Sequence, residues 1–125
     1  MSQLVKKIVI STIVLLVLDV IFLYLHKTLF ENQVISIQRV IMQVNPTGAF
    51  FAYLFLVFAI NYFIILKNRP IEEAAILGIV IYGVYEATNV AIFKNWSPSL
   101  AIMDTVWGGF LFALTAHITY IVSSL

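Results

Sequence analysis

Four apolar runs dominate this chain, at residues 8–25, 48–66, 74–93 and 101–122. Each is close to the roughly 20 residues that an α-helix needs to cross the hydrocarbon of a bilayer. A soluble core has no need of uninterrupted runs of that length. Composition agrees, with 62% of the 125 residues hydrophobic and 10% charged, against about 45–50% and about 25% in soluble domains. So little charge cannot cover the surface of a small water-soluble fold. The sequence predicts an all-α, integral membrane four-helix bundle, a single membrane domain over 1–125 with the lipid bilayer as its solvent.

The same numbers exclude other classes. The net charge is +1 and no basic run exceeds Lys6-Lys7, so no nucleic acid is expected as a partner. There is no cysteine, which removes disulfides, thiolate metal sites and cysteine nucleophiles. The first run has the basic start and apolar body of a signal peptide, but no small-residue cleavage site follows and Asp19 interrupts it. It is therefore expected to be a retained span.

Between the first two spans, Phe30, Val34, Ile37, Ile41 and Val44 recur at helical spacing, with Glu31, Gln38, Arg39 and Gln43 on other faces. This predicts an additional amphipathic helix over 28–44, either interfacial or folded onto the bundle as a connector, ended by Asn45-Pro46-Thr47-Gly48. Pro70, followed by Glu72 and Glu73, fits the start of the third span. With four spans both termini share a side with Lys67 and Arg69. That side carries four basic residues close to helix ends, against Lys27, Arg39 and Lys94 opposite, so both termini are expected in the cytoplasm.

Three acids stand where lipid should exclude them. A charge at a helix centre costs at least about 2.5–3.5 kcal/mol on insertion scales. Asp19 lies six residues before Leu25, and Glu86 seven before Phe93, where two spans leave the membrane on the same side. At about 1.5 Å per residue both sit roughly 10 Å inside that boundary. Asp104 enters the fourth span from the same side. Gly78, Tyr82, Glu86 and Asn89 form one stripe of the third span. Asp104, Trp107, Gly108, Leu111 and Thr115 share a face of the fourth, where Gly108-Gly109 permits close helix approach. The candidate ligand-binding residues are Asp19, Tyr82, Glu86, Asn89, Asp104 and Trp107, with Tyr85 and Trp96 near or above them. The plain alternatives are that the acids hold helices together through Asn89, Thr88, Tyr82 or Trp107, and that Asp104 caps its helix. Lys27, Arg39 and Lys94 are the available counter-charges. His117 and Asn61 read as packing residues, and His26 as an interface residue.

Tyr82-Gly83-Val84-Tyr85-Glu86-Ala87-Thr88-Asn89 resembles the Y-G-x-Y-D-L-T-N motif of the domain of unknown function 2177 family, small membrane proteins with four spans. Lys94-Asn95-Trp96-Ser97-Pro98 is similar to its K-x-W-P stretch, Asp104-Thr105-Val106-Trp107-Gly108 to its D-x-x-W-G, and Leu18-Asp19 to its early L-D. Asn45-Pro46 with Ala49, Phe51 and Tyr53 resembles the opening of its second helix. Glu86 stands where the family has Asp, Ala87 where it has Leu, and Ser97 separates Trp96 from Pro98. The resemblance implies the span count and the weight of the acidic and aromatic positions; it implies no substrate.

Three functions compete. The acids, with Asn and Tyr, can bind or transport a small cation, a proton or a small molecule, with a homodimer enclosing any pathway. They can instead fix helix packing in an assembly protein. Third, paired carboxylates can act in an enzyme on a lipid or polyprenyl substrate. No H-E-x-x-H, Ser-His pair or phosphate loop supports an enzyme, so no catalytic residue and no cofactor is assigned, and a carboxylate-only metal site stays open.

Overall fold

The computed structural model describes residues 2–38 and 45–125. The part of the expected amphipathic segment over 39–44, including Arg39, lies outside the described residues, as do the side chains of 35–38. Among the described residues every regular element is helical: α1 (Gln3–Leu25), α2 (Lys27–Gln38), α3 (Pro46–Phe63), a 3-10 turn (Ile65–Lys67), α4 (Ile71–Ile92) and α5 (Pro98–Ser123). α1, α3 with its 3-10 turn, α4 and α5 are each long and apolar enough to cross a membrane. α2 is the additional short helix between the first two spans.

Local chemistry sets the ends. The Ser2, Asn45 and Ser97 side chains accept from the first free N–H groups of α1, α3 and α5, with Pro46 and Pro98 at the first helical positions of the latter two. Asn68 takes the left-handed conformation (φ 53°) that stops the chain after α3. Pro70 then precedes α4, whose first turn holds Glu72 and Glu73 beside the positive end of the helix dipole. Arg69 grips Glu73 with two parallel bonds, Nε to Oε1 at 3.0 Å and Nη2 to Oε2 at 2.6 Å.

Side-chain bonds fix how the helices register. α1 and α5 are antiparallel: Gln3 Nε2 donates to the Ser123 carbonyl at one end (3.1 Å), and Trp107 Nε1 to Asp19 Oδ1 toward the other (3.0 Å). α1 and α3 are antiparallel as well, tied by Asn61 Nδ2 to Ser11 Oγ (2.9 Å) and by Tyr53 to Asp19. Lys6 Nζ reaches the Leu125 carbonyl and Lys7 Nζ reaches Asn68 Oδ1, so both chain ends and the α3–α4 connection share one end of the bundle. At the opposite end α2 is clamped to the α4–α5 connection. Gln33 Oε1 accepts from Ser97 N (2.7 Å) and Gln33 Nε2 donates to the Asn95 carbonyl.

α4 lies closest to α5, and glycine is the reason. A methyl group on Gly78 would sit 2.7 Å from the Gly108 carbonyl carbon, and one on Gly108 would sit 2.7 Å from the Gly78 carbonyl oxygen. The two backbones therefore touch where they cross, as small residues allow in membrane helices. A dry core of Leu15, Ile60, Ile64, Ile65, Ala74, Leu111, Phe112 and Ala116 fills the middle and the terminal end. Outward faces carry Phe55, Val84 and Phe110, each at least 60% exposed, which suits lipid and not water.

Candidate functional site

The three acids meet in the half of the bundle away from the termini, and all are buried: Asp19 is 5%, Glu86 1% and Asp104 6% exposed. α1 brings Asp19 in on the face that also buries Ser11, Leu15 and Phe22. α4 buries Ala74, Gly78, Glu86 and Asn89, a single 3.6-period stripe. α5 supplies Asp104 one turn before Gly108, so the close crossing of the two helices sets the approach of Asp104 to Glu86.

Asp19 is fully engaged. Oδ1 accepts from Trp107 Nε1 at 3.0 Å and Oδ2 from the Tyr53 hydroxyl at 2.5 Å. The Trp107 ring is itself stacked on Phe22, centroids 4.5 Å apart and nearly parallel, which fixes the direction of its N–H. Glu86 is engaged on one side only. Its Oε1 accepts from Asn89 Nδ2 (3.2 Å) and from Trp96 Nε1 (2.8 Å). Its Oε2 is buried and receives no donor from the protein. Glu86 also neighbours Asp104, another carboxyl. Two carboxyls offer only acceptors to each other unless a proton or a cation lies between them. Tyr82 lies within electrostatic reach of Asp19, Asp104 and Tyr53, and its ring covers Gly108.

All six candidate residues named from the sequence thus come together: Asp19 with Trp107, Glu86 with Asn89, Asp104 beside Glu86, and Tyr82 among the acids. Other expectations resolve differently. Asp104 does not cap α5, because the helix starts at Pro98 and Ser97 caps it. Thr88 does not serve the acids; its hydroxyl donates to the Val84 carbonyl (2.7 Å) on an exposed face. Tyr85 is 60% exposed and points away. Of the counter-charges, Lys27 lies 3.7 Å from Glu31 on the surface and Lys94 is exposed. His117 faces outward. Tyr53 was not among the candidates, although it stands in the segment that resembles the family's second helix. Trp96 reads from sequence as a belt residue but donates directly to Glu86.

Among the described residues, no basic side chain pairs with any of the three buried acids, since both ion pairs, Lys27–Glu31 and Arg69–Glu73, are at the surface. Nor are three His, Asp or Glu side chains among them grouped so as to hold a metal ion. Fold and site together define a multi-pass membrane protein with a buried acidic and aromatic centre. The family described as predicted membrane protein (DUF2177) matches residues 4–121, and the chain belongs to it. No curated protein and no solved structure matches the chain.

Proposed function

We propose that this membrane protein binds a proton or a small monovalent cation between Glu86 and Asp104, with Asp19 as the fixed anion beside them. One observation carries the reading: three carboxyl groups are buried in the same half of the bundle, Glu86 and Asp104 adjacent, without a basic partner among the described residues. A buried carboxylate without compensation costs several kcal/mol, about the scale at which a group takes up a proton or a counter-ion instead. Asp19 already has two good donors, whereas Glu86 Oε2 has none, so the exchangeable charge belongs to the Glu86–Asp104 pair. Infrared difference spectra of the purified protein, taken while pH or sodium concentration is stepped, test this directly. A carboxyl C=O band should shift in the wild type and vanish in Glu86→Gln. Identical spectra from the two proteins would sink the reading.

Carrying the cation across the bilayer needs a pathway, and a homodimer is the natural means for a chain with four spans. Native mass spectrometry in mild detergent should then find the dimer mass. We place the end that carries both termini in the cytoplasm, on the strength of Lys6, Lys7, Lys67 and Arg69. A tag after Leu125 should accordingly react with antibody only once cells are permeabilised, and labelling of intact cells would reverse the orientation.

A second reading is favoured by Asp19 itself. Its two oxygens bind side chains of α3 and α5 from α1, so it joins three helices as a packing device would. Under that reading the acids serve assembly, and their removal lowers stability with no spectral response to cations.

A further inference from the structure

A second polar layer lies deeper in the bundle, and it contains no charge. Ser11 is midway along α1 between Gln3 and Asp19, and Thr115 is midway along α5 between Trp107 and Ser123. Because Gln3 bonds to Ser123 and Trp107 to Asp19, the antiparallel register sets Ser11 opposite Thr115. Asn61 of α3 joins the same level through its bond to Ser11 Oγ. Thr119 follows Thr115 by one turn on the same face. The dry residues Leu15, Leu111 and Phe112, each 0% exposed, separate this layer from the acids.

The hydrogen-bond inventory of the layer does not close. Both amide protons of Asn61 are used, on Ser11 Oγ and on the Val57 carbonyl, each at 2.9 Å, while its Oδ1 accepts nothing. The hydroxyls of Thr115 and Thr119 also have no partner. This is unusual for threonine in an apolar helix, where the hydroxyl donates to the carbonyl four residues back. Thr12, Thr88 and Thr105 of this chain do so, at 2.7, 2.7 and 2.8 Å. Asn61 is 5% exposed and the two threonines 0%, so bulk water cannot compensate them.

What is left over is one acceptor on Asn61 and two hydroxyl donors on Thr115 and Thr119. A single water molecule matches that set, accepting from both hydroxyls and donating to Asn61 Oδ1, close to the roughly three bonds typical of a buried water. A metal cation matches it poorly, because it would take the oxygen lone pairs and leave the hydroxyl protons without an acceptor, and no carboxylate stands at this level. We infer that Asn61, Thr115 and Thr119 form a buried water-binding site that bridges α3 to α5, distinct from the acidic centre and sealed from it by Leu15, Leu111 and Phe112.

Thr→Val keeps the side-chain shape and removes only the hydroxyl, so the test is the sign of its effect on thermal unfolding of the full chain in detergent micelles. Thr115→Val and Thr119→Val should each lower the midpoint, by about 5 °C. The double variant should lose less than the sum, because both hydroxyls hold the same water. Midpoints at or above the wild type would overturn the site, since replacing a dry, unpartnered hydroxyl by a methyl relieves the protein. As an independent readout, an experimental map that resolves ordered water should show a peak within hydrogen-bonding distance of all three side chains. Continuous apolar packing at that position would overturn the site equally.

Discussion

Gly78→Ala is expected to separate α4 from α5 and to cost about 3 kcal/mol or more, the upper range for overpacking a tight site. The added methyl would meet the Gly108 backbone, with its carbonyl carbon at 2.7 Å, and Phe112 Cβ at 3.0 Å. No flexible side chain can swing away from a backbone contact, so the helices themselves must part. Gly83, on the same helix, is the control. A methyl there would lie 3.5 Å from Thr105 Cγ2, an ordinary van der Waals contact. Gly83→Ala should therefore be neutral or gain about 0.5–1 kcal/mol from the reduced flexibility of the unfolded chain. Denaturation in mixed micelles reads both. Equal behaviour of the two variants would mean that α4 and α5 do not cross at Gly78 and Gly108. Because Asp104 precedes Gly108 by one turn, the Gly78 variant should also disturb the acidic pair, and the Gly83 variant should leave it intact.

Much of this was legible in the sequence because lipid is a strict solvent. A membrane span has to be apolar over about 20 residues, so each run declares itself, and each polar exception stands out against it. The helical period then assigns faces. Glu86 and Asn89 share a stripe with Gly78, and the structure buries all three. The partners across the bundle were less legible. Tyr53 meets Asp19 because α1 and α3 register as they do, and lateral register depends on packing rather than on any local motif. Trp96 lies beyond the end of α4, where an indole reaching back to Glu86 looks the same in sequence as one resting in the aromatic belt. Asp104 was open to reading as a cap because the apolar run starts at Ala101. The real start, Ser97-Pro98, is a stronger N-terminal signal than the hydropathy edge. The neutral layer around Asn61 was hidden for a different reason. Threonine in a membrane helix usually bonds its own backbone, and only the structure separates Thr115 and Thr119 from Thr12, Thr88 and Thr105.

Glu86→Gln should make the protein more stable and less able to bind its cation, and these opposite signs separate a binding site from structural glue. The amide retains an oxygen to accept from Asn89 and Trp96, as Glu86 Oε1 does now. It also offers an N–H, which the neighbouring Asp104 carboxyl can accept, in place of the oxygen that has no donor. One orphaned acceptor is replaced by a donor, so the unfolding midpoint should rise, on the scale of about 1–3 kcal/mol for a buried polar group that gains its partner. Asp104→Asn relieves the pair from the other side and should act alike. If both carboxyls hold a single cation, each substitution alone should reduce sodium or proton uptake into reconstituted vesicles by about 100-fold. Glu86→Gln with Asp104→Asn should then be no worse than either, as expected for groups that act as one unit. Should all three variants melt below the wild type and bind as it does, the acids would be holding helices together, and the cation reading would fall. A site that weakens the fold by keeping a buried polar atom free for its ligand is a common form of the conflict between stability and function. Here the conflict falls on the Glu86–Asp104 pair, where Glu86 Oε2 is buried without a donor while both Asp19 oxygens accept from Tyr53 and Trp107.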